Sequence, residues 1–120
     1  MNYRFELSPE FRKEFKALFK KYKSLKKDFE NLAEEIQNNP NIGTKLGDGF
    51  RKIRLNITSK NKGKSGGARV ITHEVIISLE KEDDTKSVLF VSIYDKSEYD
   101  IVDLNVIKEI TERFREESNE

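Results

Sequence analysis

Val88-Leu89-Phe90-Val91-Ser92-Ile93 is apolar at almost every position. A strand with one wet face alternates apolar and polar residues. A run apolar at both parities reads instead as a central strand covered on both sides. The remaining chain must supply its neighbours and its cover. Just upstream, Lys81-Glu82-Asp83-Asp84 reads as a charged turn. Ala68 to Leu79 reads as a long strand with a bulge near His73-Glu74. Thr58 to Gly67 is a polar, Lys/Gly-rich loop. Before it, Ile53, Leu55 and Ile57 point one way and Lys52, Arg54 and Asn56 the other, the period of two that marks a strand.

Further out the period changes. Phe11, Phe15, Leu18, Phe19 and Tyr22 fall at helical spacing, with Arg12, Lys13, Lys16 and Lys20 on the other face. Ser8-Pro9 supplies an N-cap and first helical residue. Ser24 is the expected N-cap of a second helix, with Leu25, Phe29, Leu32, Ala33 and Ile36 as its stripe. The link at Lys23-Ser24 is so short that the two helices must lie antiparallel. Asn38-Asn39-Pro40-Asn41-Ile42-Gly43 ends the pair. Tyr3-Arg4-Phe5-Glu6-Leu7 alternates as a short strand does. Asp103 is placed to cap a last helix with Leu104, Ile107, Ile110 and Phe114 inward. The order is strand, two helices, three strands, helix. The fold class is α+β: an N-terminal helical hairpin packed on a small antiparallel sheet, with a C-terminal helix. At 120 residues this is one domain.

Charge is polarised along the chain. Lys45, Arg51, Lys52, Arg54, Lys60, Lys62, Lys64 and Arg69 are opposed over their span only by Asp48. From Asp95 to Glu120 nine acids face four basic residues. The formal net charge of +1 hides this. A local field of one sign attracts a polyanion even when the whole protein is near neutral, so the basic stretch points to nucleic acid. The chain has no cysteine, which removes disulfides, thiolate metal sites and a Cys nucleophile. His73 is the single histidine and, without a carboxylate cluster, a poor metal ligand; a solvated strand residue is the plainer expectation. No cofactor motif occurs. Gly63-Lys64-Ser65-Gly66-Gly67 lacks the spacing of a P-loop. No apolar stretch approaches the ~20 residues of a membrane span. Met1 to Phe5 carries no signal-peptide core, so a cytoplasmic location is expected.

Arg69 follows two glycines, which let a backbone approach a ligand closely. Its fork suits bidentate contact with phosphate. Lys52 and Arg54 lie side by side on one strand face, and Arg51 has the opposite parity. Lys60, Lys62 and Lys64 sit on a loop that can track a phosphate backbone without reading sequence. Each has an ordinary structural alternative, a solvated face or a surface ion pair.

Four segments together resemble a known family: Phe5-Glu6-Leu7-Ser8 leading into Glu10-Phe11; Lys52-Ile53-Arg54-Leu55; Lys64-Ser65-Gly66-Gly67-Ala68-Arg69-Val70-Ile71; and Ile93-Tyr94-Asp95-Lys96-Ser97-Glu98. In order and spacing the chain resembles the RelE/ParE superfamily of type II toxin–antitoxin toxins, nearer its RelE/HigB-like branch. The resemblance implies a bacterial cytoplasmic endoribonuclease that cuts mRNA in the ribosomal A site without metal. It also implies inhibition by a cognate antitoxin, and operator DNA bound through that antitoxin. Arg69 matches the arginine that holds the scissile phosphate. Lys52, Arg54 and Lys96 match basic positions that bind RNA and assist proton transfer. Tyr99 lies near a tyrosine that stacks on a base. Asp95, Glu98 and Asp100 depart from that pattern and are expected to weaken RNA binding.

The implied chemistry is attack of the RNA 2′-hydroxyl on the adjacent phosphorus, leaving a 2′,3′-cyclic phosphate and a 5′-hydroxyl. Arg69 would neutralise the equatorial oxygens. Lys52 or Lys96 would accept the proton. Two rivals stand beside this reading. One is a ParE-like inhibitor of DNA gyrase on the same fold. The other is a non-catalytic binding module in which the acids near Lys96 mark a decayed site.

Overall fold

The computed structural model describes residues 2–61, 63–77, 84–98 and 102–118, without the side chains of 64, 65 and 118. Strand β1 (Asn2–Leu7) leads into helices α1 (Pro9–Lys21) and α2 (Leu25–Asn38). Strands β2 (Thr44–Gly47) and β3 (Phe50–Leu55) follow, then a 3-10 turn (Thr58–Lys60) and one helical turn, α3 (Gly63–Gly66). Strands β4 (Ala68–Ile77) and β5 (Thr85–Asp95) and helix α4 (Leu104–Ser118) complete the chain. The five strands form one sheet in the order β1-β5-β4-β3-β2.

β5 is interior in the sheet and covered on both faces. Val88, Phe90 and Ile93 join the hairpin residues Phe11, Leu18, Leu25, Leu32 and Ile36 in one core. Leu89 and Val91 join Ile107 of α4 in another, with Ile110 and Phe114 packed against it. Phe29 meets Phe90 edge-on at 4.8 Å, a favoured aromatic geometry.

Local chemistry fixes the helix starts. The Phe11 amide donates to Ser8 Oγ at 2.9 Å, capping α1. The same hydroxyl donates to the Val91 carbonyl at 2.8 Å, which fastens the helix start to the central strand. The Asn105 amide donates to Asp103 Oδ1 at 2.9 Å, so Asp103 caps α4. Ser24 differs from expectation. It precedes α2 in a helical conformation and makes no capping bond. Its hydroxyl donates to Asp28 at 2.7 Å and accepts the Ser59 amide at 2.8 Å, because the loop after β3 competes for it.

The sheet departs from the purely antiparallel expectation. β1 runs parallel to β5, from Asn2 opposite Thr85 to Leu7 opposite Phe90. Parallel neighbours need a long crossover, and everything between these two strands serves as one. β2 was not anticipated. Thr44-Lys45-Leu46-Gly47 shows no sustained alternation, and the strand exists because Gly47, Asp48 and Gly49 all take positive φ (92°, 54°, 85°) and turn it onto β3. The loop expected over Thr58 to Gly67 contains the 3-10 turn and α3. The register shift falls between Ile71 and Thr72 rather than at His73-Glu74. The expected end of β4 at Leu79 and the turn residues 81–83 lie outside the described residues.

Gly67 is required by the sheet itself rather than by a ligand. A Cβ there would stand 2.1 Å from the Leu55 carbonyl oxygen and 3.1 Å from the Ile57 amide, both backbone. Neither can swing away as a side chain could. Gly67→Ala is therefore expected to cost about 3 kcal/mol, at the top of the usual overpacking range, read as a lower urea midpoint at unchanged slope.

Candidate phosphate-binding cleft

The period of two that buries Ile53 and Leu55 puts Lys52 and Arg54 on the other face. Arg69 stands opposite Arg54 in the register, and Lys52 opposite Ile71. Thr44 of β2 stands opposite Lys52. At the same end the chain leaves β5, and the Lys96 amide donates to the Gly67 carbonyl at 3.1 Å. Thr44, Lys52, Arg54, Arg69 and Lys96 thus line one cleft of about 240 Å³. Four cations from three separate stretches converge there, with a hydroxyl and, among the described residues, no acid in the lining. Arg69 lies deepest, 3% exposed, its Nη1 donating to the Ala68 carbonyl at 3.1 Å. Arg54 is exposed and Lys52 and Lys96 are half-buried. Like charges held this close favour an anion of phosphate size.

Thr44 had no signal in the sequence, because the strand that carries it had none. The other expected contacts divide. Lys60 turns inward to an ion pair with Asp95, which is 0% exposed, while its ammonium also lies over the Tyr22 ring. Arg51 is buried, its Nε 3.4 Å from Glu74, at the β2–β3 turn and away from the cleft. Lys62, Tyr99 and Asp100 lie outside the described residues, as does the side chain of Lys64.

Asp95 is fully engaged by its own partners. Tyr22 donates to its Oδ2 at 2.9 Å; the Ser97 amide and hydroxyl donate to Oδ1 at 2.9 and 2.8 Å, beside Lys60. Burial alone would raise its pKa. The bonds from Lys60, Ser97 and Tyr22 outweigh burial and hold the carboxyl well below the usual carboxylate range. Its charge is compensated on the hairpin side, which fixes the chain just before Lys96. The basic loop is pinned nearby. The Thr58 amide and hydroxyl donate to Asp28 at 2.9 and 2.6 Å.

His73 is held rather than solvated. Arg115 of α4 reaches its Nδ1 at 3.3 and 3.2 Å, its carbonyl at 3.1 Å and Ser87 Oγ at 2.8 Å. Burial, then the Arg115 charge, push the imidazole below its ordinary 6.5. A ring that accepts at Nδ1 is neutral. The unfolded chain therefore binds the extra proton first, and stability is lost as pH falls below 6.5 toward the folded value. Urea midpoints are expected to fall between pH 7.5 and 5.5, with a smaller fall in His73→Gln. Among the described residues, no three His, Cys, Asp or Glu side chains gather as a metal site would need. Nor is any helix among them long and apolar enough to cross a membrane.

Residues 5–99 match a family model described as ParE toxin of type II toxin-antitoxin system, parDE. No curated protein matches the chain.

Proposed function

We propose, since the chain belongs to the ParE toxin family of type II toxin–antitoxin systems, that this toxin cuts mRNA on the ribosome at the cleft between β2, β3 and β4. Membership implies a cognate antitoxin as its partner. The observation that carries the ribonuclease reading is the convergence of Lys52, Arg54, Arg69 and Lys96 on one cleft. An oriented set of cations can bind a phosphodiester and stabilise the extra charge of a phosphorane.

In this reading the 2′-oxygen bonds to phosphorus and the bond to the 5′-oxygen breaks. Arg69 takes the equatorial oxygens. One of Lys52 and Lys96 accepts the 2′-hydroxyl proton. The other donates a proton to the departing oxygen. Arg54 and Thr44 fix the flanking backbone. The ribosome supplies orientation of the message, which accounts for much of the acceleration in a site this open.

The family description favours a second reading, a ParE-like toxin that inhibits DNA gyrase. Primer extension on a defined mRNA in a translation extract, with and without ribosomes, separates the two. Cuts on translated message support the ribonuclease. Intact message at saturating protein removes it and directs attention to gyrase supercoiling.

A further inference from the structure

Arg54 lines two clefts. One is the cationic cleft; the other, of about 190 Å³, lies between α2 and the end of β3. β2 pairs with β3 only from Phe50 to Lys52, so the strand edge beyond is free of it and α2 forms the far wall. Leu32 and Leu55 give this second cleft an apolar floor, and Asn31 and Asn56 stand at its sides. Among the described residues neither asparagine amide is engaged in a hydrogen bond.

The two clefts differ in charge. Besides Arg54, the second is bordered by Asp28 and Glu35 and, among the described residues, by no other cation. Carboxylates disfavour a phosphate there. An uncharged, flat group with donors and acceptors on its edge suits it. Asparagine amides offer a donor beside an acceptor, the complement of adenine's hydrogen-bonding edge. An exposed guanidinium plane can stack on a base lifted out of single-stranded RNA.

We propose that this second cleft is a base-recognition subsite. It holds the nucleobase next to the phosphate bound in the cationic cleft, with Asn31 and Asn56 reading its edge and Arg54 stacking on its face. Adenine fits best. The inference rests on the RNA reading of the cationic cleft and extends it from cleavage to sequence preference.

The test is two-dimensional NMR of the full-length 15N-labelled protein titrated with adenylyl-adenosine or with ribose 5-phosphate. The guanidinium signals of Arg54 and Arg69 are expected to shift with both ligands. The side-chain NH2 signals of Asn31 and Asn56 shift only with the dinucleotide. Asn56→Ala weakens the dinucleotide about tenfold, as loss of a base-reading amide does, and leaves ribose 5-phosphate unchanged. Asn31→Ala serves as an independent variant if the first does not fold. Asparagine amides that stay still while the arginines respond overturn the subsite and leave the phosphate cleft standing. Arginines that respond to neither ligand overturn the phosphate cleft as well.

Discussion

Arg69→Ala is expected to lower ribosome-dependent cleavage of message by about 10²–10³-fold, the loss typical when one preorganised donor to a developing oxyanion is removed. Arg69 is the deepest of the four cations and stands directly across from Arg54. Its neighbours in the cleft are two half-buried lysines, which carry no fork, and Arg54, which is exposed and so less firmly held. Arg69→Lys keeps the charge and loses the fork, so its activity should lie between alanine and wild type. Because Arg69 is also nearly buried, thermal unfolding must accompany the assay. A variant that melts normally and cuts at the wild-type rate would remove Arg69 from the mechanism.

Asp95→Ala is expected to cost about 3–5 kcal/mol, as breaking one half of a buried ion pair does. The carboxylate is fully buried and the Lys60 side chain is 12% exposed, so the ammonium loses its partner where water reaches it poorly. Tyr22 loses its acceptor too. Removing both charges, as Lys60→Met with Asp95→Leu, should recover much of the loss, since an apolar pair of similar volume can replace a buried ion pair. The pH dependence has a definite sign. The folded carboxyl titrates below its ordinary 3.8. Its contribution is present above that value and is lost as pH falls toward the folded pKa. Acid unfolding followed by circular dichroism should be steeper in wild type than in Asp95→Asn.

Side-chain period made most of the fold legible. Phe11, Leu18, Leu25 and Leu32 announced the hairpin because four-residue recurrence leaves few alternatives. Val88 to Ile93 announced an interior strand because neither parity could face water. Strand direction carries no such mark. Nothing in Tyr3 to Leu7 distinguishes a parallel partner from an antiparallel one, since alternation is the same for both. β2 escaped because positive-φ turns, rather than apolar residues, define it.

The cleft was legible where parity decides it. Lys52 and Arg54 share a face by spacing alone, and Arg69 meets them because β3 and β4 are neighbours. Lys60 was misleading for a physical reason. A lysine in a polar loop reads as solvated, and only the tertiary position of Asp95 turns it inward. Asn31 and Asn56 gave no signal, because asparagine near a helix surface and at a strand end is ordinary in both places.

The pairing of β1 with β5 sets a condition on the toxin's birth. Residues 2–7 have their partner at 85–90, so the sheet cannot close until most of the chain has been synthesised. Arg69 and Lys96 flank that same late strand. In the proposed ribonuclease reading, a nascent chain therefore lacks a finished cleft until β5 has formed. The long sequence separation also makes closure slow relative to local helix formation.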